Sequence, residues 1–492
     1  MVFEKLQVKF IIVFLLCLVP IKAEGCCEDY CYECDTTTPF RSQYRNLGQR
    51  NSYDFIKGFN YQIYDMPGCT AQKIWTLVRH GTRYPSPQSM LELEKLENLR
   101  DEVVRLYDEN NSLPAIGSLY KNDLQLITEW SWDKNITERY DEFLTVSGWN
   151  EIRDLAMVYK SVFPSLIGDS YSAEKFHFRH TDYQRTEGTF KAFAEGLFGE
   201  GAYNHFTIEK LPKLNMLLNP MDLCQKYRDN IATQNGLGTE MEKFRNTAIF
   251  QKLLADVSIK LGYATPPHQP LDSPTVLNIY EMCRFEKAWY PLKPSPWCAA
   301  LTPSQFKILE YHEDLELYMK TSYGADVNLK LSCTAMDDML THLSTNTTQS
   351  VVAYFAHIDN IHALLTAMGA FRDTVPLRSD NFDQMGDRKW KTSEICPFSS
   401  NVAAVKYNCP NDVQEKEKVK FFLNQKILFL DWCDGNGVCN LSNVMDKYGE
   451  FNRGDCDQIF CSDSSNNSSS SNYINKLILM LVLLIVITFL FH

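Results

Sequence analysis

Short apolar runs recur along the chain, and each one ends abruptly in polar residues. Ile74-Trp75-Thr76-Leu77-Val78 and Val351 to Ala356 are continuous and rich in β-branched and aromatic side chains, the pattern of buried strands. Phe176-His177-Phe178 alternates instead, as a short strand does. Cys396 to Pro410 and Val419 to Phe429 read as further, late strands. Between these runs the period changes. Leu93, Leu96, Leu99, Val103 and Leu106 recur among charges at helical spacing. A helix is predicted from near Thr186, with Phe190, Phe193, Ala194 and Leu197 on one face. Another follows the run ending at Ala356, with Ile361, Leu364, Leu365 and Met368 turned inward. Strands delivering directly into helices predict an α/β fold. Residues 200–325 differ: helical pieces such as Met241 to Leu261 alternate with links holding Pro266, Pro267, Pro270, Pro291, Pro294 and Pro296. They read as a helical cap inserted into a core made of residues 71–199 and 326–460.

Composition bounds this picture. With 492 residues, 45% hydrophobic and 13% aromatic, the chain can bury a sizeable core. A net charge of −12 argues against a nucleic-acid partner, so any anion must be caught by a local basic pocket. Lys5 and Lys9, the apolar stretch Phe10 to Val19 and a small residue at Ala23 predict a secretory signal over residues 1–23. Sixteen cysteines, less Cys17 in that signal, leave fifteen for the mature chain. In an exported protein these predict disulfides, and the odd count leaves one thiol over or pairs it between chains. Cys26, Cys27, Cys31 and Cys34 lack a nearby His and read as disulfide partners, not zinc ligands, within a Cys-rich leader of residues 24–70. Cys433 with Cys439, and Cys456 with Cys461, are close enough to be local staples. Arg41, Arg45 and Arg50 in the leader are compatible with a place near an anion site or with solvent, and solvent is the expectation.

At the other end, a Ser/Asn-rich spacer over residues 462–476 precedes an apolar tail, 477–492, shorter than the ~20 residues of a spanning helix. Spacer and tail together predict a GPI-attachment signal with Asn466 or a neighbouring Ser as anchor site, and hence a partner in the outer face of the plasma membrane. Sequons at Asn110, Asn135, Asn346 and Asn440 fit an exported chain.

The polar residues at the strand ends hold the chemistry. Arg79-His80-Gly81-Thr82-Arg83 places two guanidiniums around an imidazole, and Gly81 permits a tight turn and close approach to a ligand. Permanently charged arginines beside a His describe a phosphate dianion site with a nucleophile beneath it. Arg185 stands where the strand at 176 meets a helix N-terminus, a favourable place for an anion. His357-Ile358-Asp359 ends the strand at 351.

The full stretch R-H-G-T-R-Y-P, Arg79 to Pro85, resembles the signature of the histidine acid phosphatases in the form used by the multiple inositol polyphosphate phosphatase branch. Thr181-Asp182-Tyr183-Gln184-Arg185-Thr186 resembles the family context of its third phosphate arginine, which makes Arg185 that residue and leaves Arg179 behind the site. C-R-F-E-K-A-W-Y and S-P-W-C, within Glu281 to Asp326, extend the likeness, which spans roughly residues 40 to 450. At the third strand end the branch has H-A-E, whereas this chain has Ile358 for Ala and Asp359 for Glu. Because Ile358 cannot donate a proton, the acid falls to Asp359, one methylene shorter than Glu; His362, one turn on, reads as structural.

The resemblance implies a mixed open sheet flanked by helices and roofed by a helical cap, with the strand-end loops meeting in one crevice. It also implies a cofactor-free phosphomonoesterase. His80 attacks phosphorus, Arg79, Arg83, Arg185 and His357 hold the phosphoryl oxygens, and Asp359 protonates the leaving oxygen. The leading substrate class is the phytate-like inositol polyphosphates. A broad-specificity acid or phosphoglycerate phosphatase stays open, as does a non-catalytic surface binder of anions.

Overall fold

In the computed structural model, the described residues are 42–109, 118–208, 215–233, 236–263 and 269–462. The signal at 1–23, Cys26, Cys27, Cys31, Cys34, Arg41, Asn110, Asn466 and the terminal tail lie outside them.

Strand β1, Thr70–Arg79, is the axis of a mixed seven-stranded sheet. β2, Phe176–His180, and β3, Val351–Ala356, lie on one side of it, with β3 parallel to both β1 and β2. β4, Asn401–Asn408, and β5, Glu417–Leu423, extend the other side as antiparallel neighbours. β6, Lys426–Ile427, and β7, Val438–Asn440, both pair with β5.

Both faces of the sheet are covered, which explains why its strands read as continuous apolar runs. Successive side chains on a strand point to opposite faces. Trp75, Leu77, Val352, Tyr354, Val402 and Ala404 therefore join the larger core cluster. Ile74, Val78, Val351, Ala353, Phe355, Ala403 and Val405 enter the second. That second face is closed by helix α1, Val146–Val162, through Ile152, Leu155 and Tyr159, and by α2, Gln184–Phe198, through Phe190, Phe193, Ala194 and Leu197. On the first face stand α3, Ser273–Trp289, α4, Pro303–Thr321, and α5, Ile358–Ala367. Ile361, Leu364, Leu365 and Met368 are all buried there, as their spacing predicts.

Tyr44, Leu47, Tyr53, Ile56 and Tyr64, from the stretch before β1, are buried side chains of the core. Aperiodic sequence can still pack tightly when each aromatic fills a gap left by larger elements. The disulfide Cys69–Cys409 ties this stretch to the far end of β4.

Four more disulfides join Cys224 to Cys461, Cys283 to Cys298, Cys333 to Cys456 and Cys433 to Cys439. The staple at Cys433 and Cys439 matches the sequence reading. Cys456 and Cys461 do not pair with each other: each reaches a distant helix, pinning the C-terminal segment to the body. Among the described residues Cys396 is the free thiol, and it is buried. Asn135 and Asn346 are exposed, whereas Asn440 is half-buried at the end of β7 and accepts a 2.7 Å hydrogen bond from Lys418.

Candidate functional site

The parallel alignment of β1, β3 and β2 brings three strand ends to one edge, because Arg79 pairs with Ala356 and His180 with Phe355. Each chain then turns into polar residues. His80 N donates to Ala356 O at 3.0 Å, and Thr181 N to Phe355 O at 3.1 Å, so the sheet ladder continues one residue past the strands. The turn after His80 is packed against α1. A Cβ on Gly81 would lie 2.5 Å from the Gly148 carbonyl, and one on Gly148 would lie 2.2 Å from the Thr82 carbonyl. Only a pair of glycines allows this approach. Behind the turn, Glu151 accepts from Thr82 N, the Thr82 hydroxyl and the Ser399 hydroxyl at 3.2, 2.9 and 2.6 Å. Burial pushes its carboxyl up to about 7.

The residues singled out in the sequence meet in a single cavity of about 260 Å³, which Arg79, His80, Arg83, Arg185, His357 and Asp359 all line. His80 is only 4% exposed. Its Nδ1 lies 2.9 Å from Gly81 O, and a carbonyl can only accept, so Nδ1 carries the proton. Burial, followed by the charges of Arg79, Arg185 and Arg83, holds the imidazole well below its usual pKa. The ring is therefore neutral, with the Nε2 lone pair available. The same causes push His357 down to about 3. The two rings stand 5.7 Å apart, and His357 Nε2 is 2.9 Å from the Thr181 hydroxyl.

The arginines are held from behind. Arg79 Nη1 donates to the carbonyls of Gln49 and Cys396, both at 2.7 Å, and its guanidinium lies over Phe398. Arg83 donates to Tyr84 O at 2.8 Å, and Arg185 lies over Tyr183 at 4.6 Å. Burial lowers all three pKa values, that of Arg79 to about 10, with Arg50 adding its repulsion to each. Positive charge is thus under-compensated in this cavity, a setting that favours a bound anion.

Asp359 sits in the first turn of α5, where Asn360 Oδ1 accepts from His357 N at 3.3 Å. Its Oδ1 is buried without a hydrogen-bond partner, 3.8 Å from Lys320 Nζ. Ile358 lines the cavity wall. His362 is wholly buried between Thr321 and the Trp390 ring, away from the cavity. Arg179 points elsewhere, with its guanidinium 6.0 Å from the Tyr354 ring centre.

Arg50 is a correction. It does not stand in solvent with Arg45 but lines the cavity, bound through Nε to Glu281 at 3.2 Å and lying over Phe285. No periodicity marks it in the sequence, because it rides on a single 3₁₀ turn, Gly48–Arg50. Asn219 and Asn360 also line the cavity, and no sequence pattern singles out Asn219. Among the described residues there is no cluster of His, Cys, Asp and Glu suited to a metal ion.

Residues 72–424 match the family model of the histidine phosphatase superfamily, branch 2. The chain is 38% identical over 454 residues to multiple inositol polyphosphate phosphatase 1 of Drosophila melanogaster, covering 92% of this chain and 94% of that protein. It is 27% identical to the Homo sapiens protein of that name, across 73% of this chain and 75% of the relative. Among solved structures, the phytase from D. castellii superposes with a TM-score of 0.65 at 19% identity, covering 84% of this chain and 86% of that one. The Bifidobacterium longum multiple inositol polyphosphate phosphatase in complex with inositol hexasulfate gives a TM-score of 0.62 at 12% identity, covering 83% and 98%. These two share the fold. With its signature residues gathered at one sheet edge, the chain belongs to branch 2 of the histidine phosphatase superfamily, alongside the multiple inositol polyphosphate phosphatases.

Proposed function

We propose that this phosphatase removes phosphate from inositol polyphosphates through a phosphohistidine at His80. The observation that carries the reading is the convergence of Arg79, His80, Arg83, Arg185, His357 and Asp359 on one cavity. His80 Nε2 attacks phosphorus in line as the bond to the ester oxygen breaks. Arg79, Arg83 and Arg185 stabilise the equatorial oxygens, with His357 beside them. Asp359 gives its proton to the departing alkoxide. A water then attacks the phosphohistidine, Asp359 takes up the water's proton, and phosphate leaves with His80 neutral again.

Substrate class is supported by the relatives' names and by charge. Arg50, held through Nε by Glu281, is a fourth guanidinium at the cavity beside the three assigned to the reacting group. It suits a substrate bearing a second phosphate close to the first. Phosphate release from inositol hexakisphosphate by the purified protein is the expected result, with a labelled phosphoenzyme trapped on rapid quench. Turnover of small monophosphates alone would instead support the broad-specificity reading.

We further propose that the protein is exported and GPI-anchored, on the strength of the signal-like start, the spacer with Asn466 and the apolar tail. Five disulfides among the described residues fit an oxidising compartment. No helix among those residues is long and apolar enough to cross a membrane. Phosphatidylinositol-specific phospholipase C should release activity from intact cells; activity that stays bound after effective lipase treatment would point to a tail anchor.

A further inference from the structure

Two of the cavity's arginines come from different elements, and one carboxylate outside the cavity binds both. Glu142 Oε1 lies 3.0 Å from Arg83 Nη2, and its Oε2 lies 2.9 Å from Arg185 Nη1. Glu142 itself is not part of the cavity lining. It therefore stands behind the guanidiniums and leaves their open faces to a ligand. Its backbone has φ +51°, a left-handed conformation that a residue with a Cβ adopts only when its surroundings impose it.

The surroundings do impose it. Glu142 N donates to Pro85 O at 3.2 Å, Tyr84 N to Phe143 O at 2.9 Å, and Thr145 N to Thr82 O at 2.9 Å. Leu144 forms a β-bridge with Arg83, and its N–H donates to the Gln184 side chain at 2.9 Å. The segment 142–145 is thus stitched to the signature turn on one side and to the start of α2 on the other. A carboxylate has two oxygens at fixed spacing, and each one here takes a different guanidinium. That fixes the gap between Arg83 and Arg185.

We infer that Glu142 is a positioning residue that sets the separation of Arg83 and Arg185 for the transferring phosphoryl group. The inference rests on the phosphoryl clamp proposed above. A clamp matched to the transition state acts on its trigonal equatorial oxygens more than on those of a ground-state tetrahedral phosphate. Losing the spacing should then cost turnover more than phosphate affinity.

Glu142→Gln tests this in the intact protein. The amide keeps the shape but turns one oxygen into an NH₂, which faces a guanidinium donor to donor, so one arginine must move. Orthovanadate mimics the five-coordinate phosphorus and inorganic phosphate the product. In Glu142→Gln, kcat should fall about tenfold or more and the Ki for vanadate rise by a similar factor, while the Ki for phosphate stays within about threefold. Glu142→Gly accommodates the left-handed backbone and also removes the carboxylate. Measured per folded molecule, it should show the same selective loss of vanadate. An unchanged ratio of the two Ki values in both variants, or activity that falls only with the folded fraction, would overturn the inference. A wild type that binds neither anion would remove the clamp reading itself, which is a different failure.

Discussion

Arg388 and the arginines that line the cavity stand in opposite surroundings. The Arg388 side chain is 3% exposed and bound on several sides: Asp314 accepts from Nε and Nη2 at 3.1 and 2.7 Å, Glu310 from Nη2 at 3.1 Å, and Trp390 O from Nε at 3.1 Å. Burial works against its charge, but Asp314 and Glu310 more than offset that and raise its pKa. At the cavity, Glu142 bridges Arg83 and Arg185, Arg79 is held by the carbonyls of Gln49 and Cys396, and burial lowers the pKa values of all three. A buried cation matched by its own carboxylates ties chain segments together. A group of guanidiniums whose pKa values burial lowers around one cavity instead favours a dianion beside them. The first arrangement serves the fold; the second suits the clamp proposed above.

The largest effect expected on this contrast is at His80, the proposed nucleophile. His80→Ala should lower turnover by about three orders of magnitude or more while leaving thermal unfolding near that of the wild type. A variant that keeps a substantial share of wild-type rate would remove His80 from the chemistry.

Arg388→Met probes the other group. It strands Asp314 and Glu310 as buried unpaired carboxylates and should cost about 3–5 kcal/mol in urea unfolding, with kcat per folded molecule unchanged. A loss of kcat without a loss of stability would erase the distinction between the two groups.

Arg185→Ala should do the reverse, reducing kcat/KM by about two orders of magnitude, roughly 3 kcal/mol, with the fold intact. Arg179→Ala, outside the cavity, should cost far less. Reversed losses would exchange their roles.

Asp359→Asn should impair alkyl phosphates by about tenfold or more and largely spare p-nitrophenyl phosphate, whose leaving group is stable as an anion. Asp359→Glu should stay active. Equal loss on both substrates would make Asp359 a group that positions something else.

The smallest effect is expected from Arg50→Ala, which should weaken kcat/KM for inositol hexakisphosphate about tenfold relative to p-nitrophenyl phosphate. Equal losses would place Arg50 on the reacting phosphoryl group, not on a second phosphate.

The sequence by itself determined β1 to β3, the inward faces of the helices after β2 and β3, and the residue types at the strand ends. These are local properties: the period of Ile74 to Val78, the spacing of Ile361, Leu364 and Leu365, and the residue types in R-H-G-T-R can all be read without knowing what lies opposite. The late run Val419 to Phe429 instead divides into β5 and β6, with the chain turning at Asn424 and Gln425. The resemblance of Thr181 to Thr186 to the family context set Arg185 apart from Arg179, and the cavity lining includes Arg185 and not Arg179. Tertiary structure alone decided which distant groups meet. Arg50 sits on an isolated 3₁₀ turn, and only the packing of the 44–64 stretch against the core carries it to the cavity. Glu142 looks like any surface acid until the strand-end turn and α2 close around it. Cys456 and Cys461, five residues apart, were free in sequence to join each other, yet the fold brings Cys333 and Cys224 to them instead. Nearness along a chain limits which residues can meet; the burial of two core faces around one sheet selects those that do.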